Sequence, residues 1–158
     1  MSERLRVLRS DLQAEWTHIR RIYSALRETP DDLRYPKEAI VAGYYLHNLY
    51  NACENIFRRI AEAFENEIPD PTRGHALLLE RMGREIEGIR PRVLREETLR
   101  LLDELRRFRH VFRTLYRFDL DPERVARARQ DAFRLEPLLE ADLQGFLELL
   151  SRMEEGTS

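Results

Sequence analysis

Residues 42–60 read AGYYLHNLYNACENIFRRI, and their spacing decides the fold class. Ala42, Leu46, Leu49, Cys53, Ile56 and Ile60 recur at steps of three and four, which puts them on one stripe of an α-helix. The pattern predicts a helix from about Lys37 to Glu67, ending before Pro69 and Pro71.

The same period extends in both directions. Upstream, Leu5, Leu8, Leu12, Trp16, Ile19, Tyr23 and Leu26 predict a first helix over about Glu3–Glu28, broken by the stretch from Pro30 to Pro36. Downstream, Leu78, Met82, Ile86 and Ile89 predict a third helix over about Thr72–Ile89, closed by Pro91. A fourth, about Leu94–Tyr116, carries the seam Leu101, Leu105, Phe108, Phe112 and Leu115, whose steps of four and three suit helices crossing at shallow angles. Asp121 reads as an N-cap with Pro122 at the first helical position, opening a fifth helix towards Met153 that Pro137 should kink or divide. No strand pattern or internal repeat competes. The expectation is all-α: a compact bundle of about five helices in one domain over residues 1–158, frayed from about Glu154.

A chain that is 42% hydrophobic and 35% charged can bury a core under a charged surface. Its net charge of -2 supplies no overall field to draw it to nucleic acid or membrane, so any electrostatic partner choice must come from local clusters. No apolar run reaches a membrane-spanning length, and the N-terminus MSERLRVLRS lacks an apolar signal segment, so the expected location is the cytoplasm. Cys53 is the only cysteine, which excludes an intrachain disulfide, and its place on the apolar stripe reads as a small buried hydrophobe. Lys37 is the only lysine; the dominance of Arg fits a GC-rich genome as readily as a function.

Two polar clusters could carry chemistry. In RRFRHVFRTLYRFDLD, residues 106–121, Arg106, Arg107, Arg109, Arg113 and Arg117 surround His110. At about 100° per residue, Arg106, His110, Arg113 and Arg117 project away from the apolar seam, and Arg109 and Tyr116 flank its edge. Such a row is either a solvated helix face or a surface for an anion, phosphate above all. The second cluster is on helix two, where His47, Asn51, Glu54 and Arg58 share a stripe beside Asn48 and Asn55. It reads as a hydrogen-bonded network at a helix or subunit interface, with a metal site as the alternative. The carboxylate–histidine spacing of di-iron bundles is not repeated on a second helix, and neither a phosphate loop, a nucleophile elbow nor HExxH is present, so neither metal nor cofactor is expected. His18 and His75 stand alone and read as surface or packing residues.

HNLYNACENIFRRIA at 47–61, followed by RRFRHVFRTLYRFDLDPERV at 106–125, resembles the HEPN superfamily in its HepT-like branch, over roughly Glu38–Leu150. The resemblance implies a helical bundle that dimerises and a metal-independent endoribonuclease, the toxin beside a small nucleotidyltransferase antitoxin. The family signature is an Arg, four to six residues, then a His, often with a Tyr two residues later. Arg109 occupies the Arg position and Tyr116 the Tyr position, while the His position is Thr114. That departure bears on mechanism, because metal-free RNA cleavage needs a base for the 2′-hydroxyl proton and a cation for the developing phosphorane charge. Losing a general base typically costs about 10²- to 10⁴-fold in rate. His110 lies one turn before Thr114 and could act in its place.

The resemblance therefore implies a homodimer whose shared basic cleft takes RNA. Arg109 and His110 would be catalytic, Arg106, Arg113 and Arg117 would hold the RNA backbone, and Tyr116 would accept AMP from the antitoxin unless it only caps the seam beside Phe112. A catalytically silent HEPN-type binding module is the alternative that Thr114 favours. An unrelated bundle assembling through helix two is a third.

Overall fold

The computed structural model describes residues 2–65, 74–113 and 120–156. Among these residues the chain forms five helices and no strand: α1 Ser2–Glu28, α2 Pro36–Glu65, α3 His75–Met82, α4 Glu96–Arg113 and α5 Pro122–Gly156. Helix α2 is the centre of the bundle, packing against each of the other four. Its stripe from Ala42 to Ile60 is buried along its whole length, so the period that predicted the helix also predicts its inner face. Leu12, Ile19, Tyr23 and Leu26 of α1 and Leu135, Leu139, Phe146 and Leu150 of α5 join it in one hydrophobic core. Cys53 is fully buried there, and burial pushes its thiol up to about 12, which keeps it protonated and unreactive.

The helix starts follow local chemistry. Before α2, the Tyr35 N–H donates to Glu38 Oε1 at 3.1 Å, and Pro36 supplies a first-turn residue that has no N–H to satisfy. Before α5, the Glu123 N–H donates to Asp121 Oδ1 at 3.0 Å, the N-cap expected from the Asp-Pro pair.

Three expectations change. The third helix ends at Met82 rather than Ile89. Beyond it, Gly88 adopts φ 77° and the backbones of Ile86 and Arg90 exchange two hydrogen bonds of 3.0 Å, so the chain turns back on itself. The Arg90 guanidinium is buried inside this turn, donating to the carbonyls of Arg81, Arg84 and Pro91 and to Glu65. These bonds satisfy carbonyls at the end of α3 and replace the helix that Ile86 and Ile89 would have continued. Pro137 does not divide the fifth helix, which runs unbroken to Gly156. Leu135 and Leu139 are both fully buried on either side of it, and the core contacts they make offset the lost hydrogen bond. The last turn is also held: Arg9 reaches Ser151 at 2.7 Å and Glu154 at 3.2 Å. The ends of helices two and four beyond Glu65 and Arg113, including Leu115, lie outside the described residues.

Candidate functional site

Helices α2 and α4 meet closely because Gly43 has no side chain: a Cβ there would lie 2.9 Å from the Phe112 ring. One to four turns along the interface from that contact, the polar stripe of α2 faces the Arg-rich end of α4.

Arg109 is the centre of the site. It does not flank the seam at the surface; it is 5% exposed and turned into the α2–α4 interface. Its Nη1 donates to Asn51 Oδ1 at 2.7 Å, its Nη2 lies 3.5 Å from Glu54 Oε2, and its guanidinium covers the Tyr50 ring at 4.6 Å. Glu54 is buried as well, and gathers three partners: the guanidinium of Arg109, that of Arg58 at 3.1 Å on Oε1, and the Nδ1 of His75 at 2.8 Å on Oε2. His75, read from the sequence as a packing or surface residue, is thus part of the cluster. No periodic signal marks this, because it enters from α3, 21 residues further along the chain.

His47 completes the network at the other end. Its Nε2 is 3.1 Å from the Asn51 amide nitrogen. Since Asn51 Oδ1 accepts from Arg109, its amide N–H is what faces the ring, and His47 Nε2 is the acceptor. Burial, then the charges of Arg109 and Arg113, lower the His47 pKa and hold the ring neutral. The ring also packs on Phe112, with centroids 5.7 Å apart. Burial, then Glu54, raises the Tyr50 pKa. Four buried polar atoms of this one cluster make no hydrogen bond among the described residues: His47 Nδ1, Tyr50 OH, Arg58 Nε and Arg109 Nε. All four are closed to solvent, so the cluster fixes the guanidinium within the α2–α4 interface.

The other basic residues separate. His110 and Arg113 are exposed, whereas Arg106 is half-buried and paired with Asp103 at 2.9 Å, a partner it shares with Arg107. His110 follows Arg109 in sequence, so its side chain leaves the helix about 100° away from the buried guanidinium. Thr114, Tyr116 and Arg117 lie outside the described residues. A groove of about 410 Å³ on the α4–α5 side is lined by Arg107, Arg124 and Arg127 but also by Glu104 and Asp131, and none of the residues of the Glu54 network lines it. Among the described residues no group of His, Cys, Asp and Glu is placed to hold a metal ion, and no helix is long and apolar enough to cross a membrane.

No curated protein and no solved structure matches the chain. A family model described as HepT-like protein matches residues 41–150, a span that runs from the first turns of α2 through Leu150 of α5 and contains the whole Glu54–Arg109 network. The chain belongs to the HepT-like family of the HEPN superfamily.

Proposed function

We propose that this protein is the HepT-like component of a toxin–antitoxin pair, a cytoplasmic, metal-independent endoribonuclease that works as a homodimer and is held in check by a small nucleotidyltransferase. The observation that carries this reading is the setting of Arg109. The arginine at the family signature position is fixed by Asn51, Glu54 and Tyr50, and its Nε is left unmatched. A guanidinium fixed before substrate arrives is suited to stabilise the charge that develops on a phosphorane, because it needs little reorganisation during reaction. Exposed Arg113, with Arg106 and Arg117, would supply the cationic approach for an RNA backbone. Ile40, Val41 and Tyr44, exposed on α2 one to two turns before His47, are the apolar surface that pairing with a second subunit would cover. A bulky anionic AMP on Tyr116 would neutralise the neighbouring arginines and close the approach to RNA.

The test is cleavage of single-stranded RNA by the purified protein in EDTA, with Arg109→Ala alongside and its helical content and melting checked. Arg109→Ala is expected to lose about 10²- to 10³-fold in rate, the usual cost of removing a group that stabilises transition-state charge. Cleavage at the parent rate would remove Arg109 from the mechanism.

Thr114 supports a second reading, a catalytically silent module that binds or forms complexes. If the rest of the site is intact in such a module, Thr114→His restores the missing base and raises cleavage by about 10²- to 10⁴-fold. An inactive parent that stays inactive with Thr114→His would mean that the site has diverged by more than this residue.

A further inference from the structure

We infer that His75, held by Glu54, is the general base of this site, taking the place of the histidine that the signature position lacks. The inference rests on the nuclease reading above.

The geometry sets His75 apart from the other histidines. His75 Nδ1 lies 2.8 Å from Glu54 Oε2, the same oxygen that faces Arg109 Nη2 at 3.5 Å. A carboxylate accepts hydrogen bonds and has none to donate, so the His75 Nδ1 carries the proton and the Nε2 of the neutral ring presents a lone pair. Glu54 is thereby a positioning residue for two groups at once: it fixes the tautomer of the imidazole and the orientation of the guanidinium. Buried at 5% exposure and clamped by Arg58 on its other oxygen, it has little freedom to turn away. The His75 side chain keeps 25% of its surface exposed, so the dyad reaches solvent through the residue that would touch RNA.

The alternatives are less well placed. The Nε2 lone pair of His47 is already engaged by Asn51. His110 leaves α4 on a different side from Arg109. His18 is exposed on α1, a helix that takes no part in the network.

In the reaction this arrangement supports, His75 Nε2 takes the proton of an RNA 2′-hydroxyl and the O2′ forms a bond to the adjacent phosphorus. The bond from phosphorus to the 5′-oxygen then breaks, with Arg109 beside the negative charge on the non-bridging oxygens. The departing 5′-oxygen takes a proton from water, and the hydroxide this leaves is neutralised by the proton on His75 Nε2, which returns the ring to its starting state. The products are a 2′,3′-cyclic phosphate on one fragment and a 5′-hydroxyl on the other.

The full chain would be assayed in EDTA on an RNA and on the same RNA with a 2′-deoxy residue at the cleaved position, comparing the parent with His75→Ala, His75→Asn and Arg109→Ala. Asparagine keeps an N–H near the Nδ1 position for Glu54 but cannot accept a proton, so a purely structural His75 would tolerate it. The expected result is cyclic-phosphate ends from the parent, no cut at the deoxy position, and a loss of about 10²- to 10⁴-fold in both His75 variants with unchanged melting. Parent-like cleavage by His75→Asn overturns the role of His75 while a loss in Arg109→Ala keeps the nuclease reading standing. No cleavage by the parent overturns both.

Discussion

Glu54 is the residue on which the site turns. A carboxylate at 5% exposure is costly to bury unless its oxygens are matched, and here one oxygen faces Arg58 and the other faces His75 and Arg109. His47 shows the opposite electrostatic situation. Burial and the nearby Arg109 and Arg113 disfavour its proton, so its pKa in the fold is lowered from the ordinary 6.5. Above that value both folded and unfolded chains carry a neutral ring and nothing is lost. As pH falls below it, the unfolded chain takes up a proton that the folded chain refuses, so stability drops towards the lowered pKa. His47→Gln removes this component. Urea unfolding at pH 7 and pH 5 should show a larger loss for the parent than for the variant; equal losses would mean that His47 is not held neutral by the fold.

At the scale of elements, the helices divide into those whose ends are written locally and those decided by contacts from elsewhere. The starts of α2 and α5 belong to the first group, because Pro36 with Glu38 and Asp121 with Pro122 act within a single turn. The end of α3 belongs to the second. Ile86 and Ile89 continue the apolar period, yet the buried Arg90 side chain and Gly88 with φ 77° build a turn there instead. Arg90→Ala should therefore cost about 3–5 kcal/mol, since it leaves the Glu65 side chain, 7% exposed, and the carbonyls of Arg81 and Arg84 without this donor. Chemical denaturation of the two proteins measures this; a loss below about 1 kcal/mol, the scale of a surface ion pair, would show that Arg90 does not hold the turn. Pro137 is the reverse case, a local breaker overruled by burial on both sides.

For the whole molecule, a net charge of -2 means that any attraction to RNA must come from the local arginine cluster. Affinity would then fall with salt by roughly 0.7 log units per tenfold change for each phosphate neutralised on a single strand. If Arg106, Arg113 and Arg117 each neutralise one phosphate, raising salt from 50 to 200 mM should weaken binding roughly twentyfold. A titration by fluorescence anisotropy checks this, and salt-independent binding would exclude the basic approach.

The fold class, the helix count, the inner faces of α1, α2 and α4 and the HepT-like resemblance were all legible in the sequence, whereas for α5 only the start and approximate extent were. They depend on periods of three and four residues and on short motifs, which the chain carries within a turn or two. The polar stripe of His47, Asn51 and Glu54 was legible for the same reason. Its partners were not. Arg109 lies 58 residues from Asn51 and His75 lies 21 from Glu54, and whether a guanidinium at the edge of a seam turns outward or inward depends on what the facing helix offers it. Only the packing of α2 against α3 and α4 brings the carboxylate, the imidazole and the guanidinium to one point, because hydrogen bonds of about 3 Å between distant segments are set by how the helices cross, and helix period does not encode that crossing.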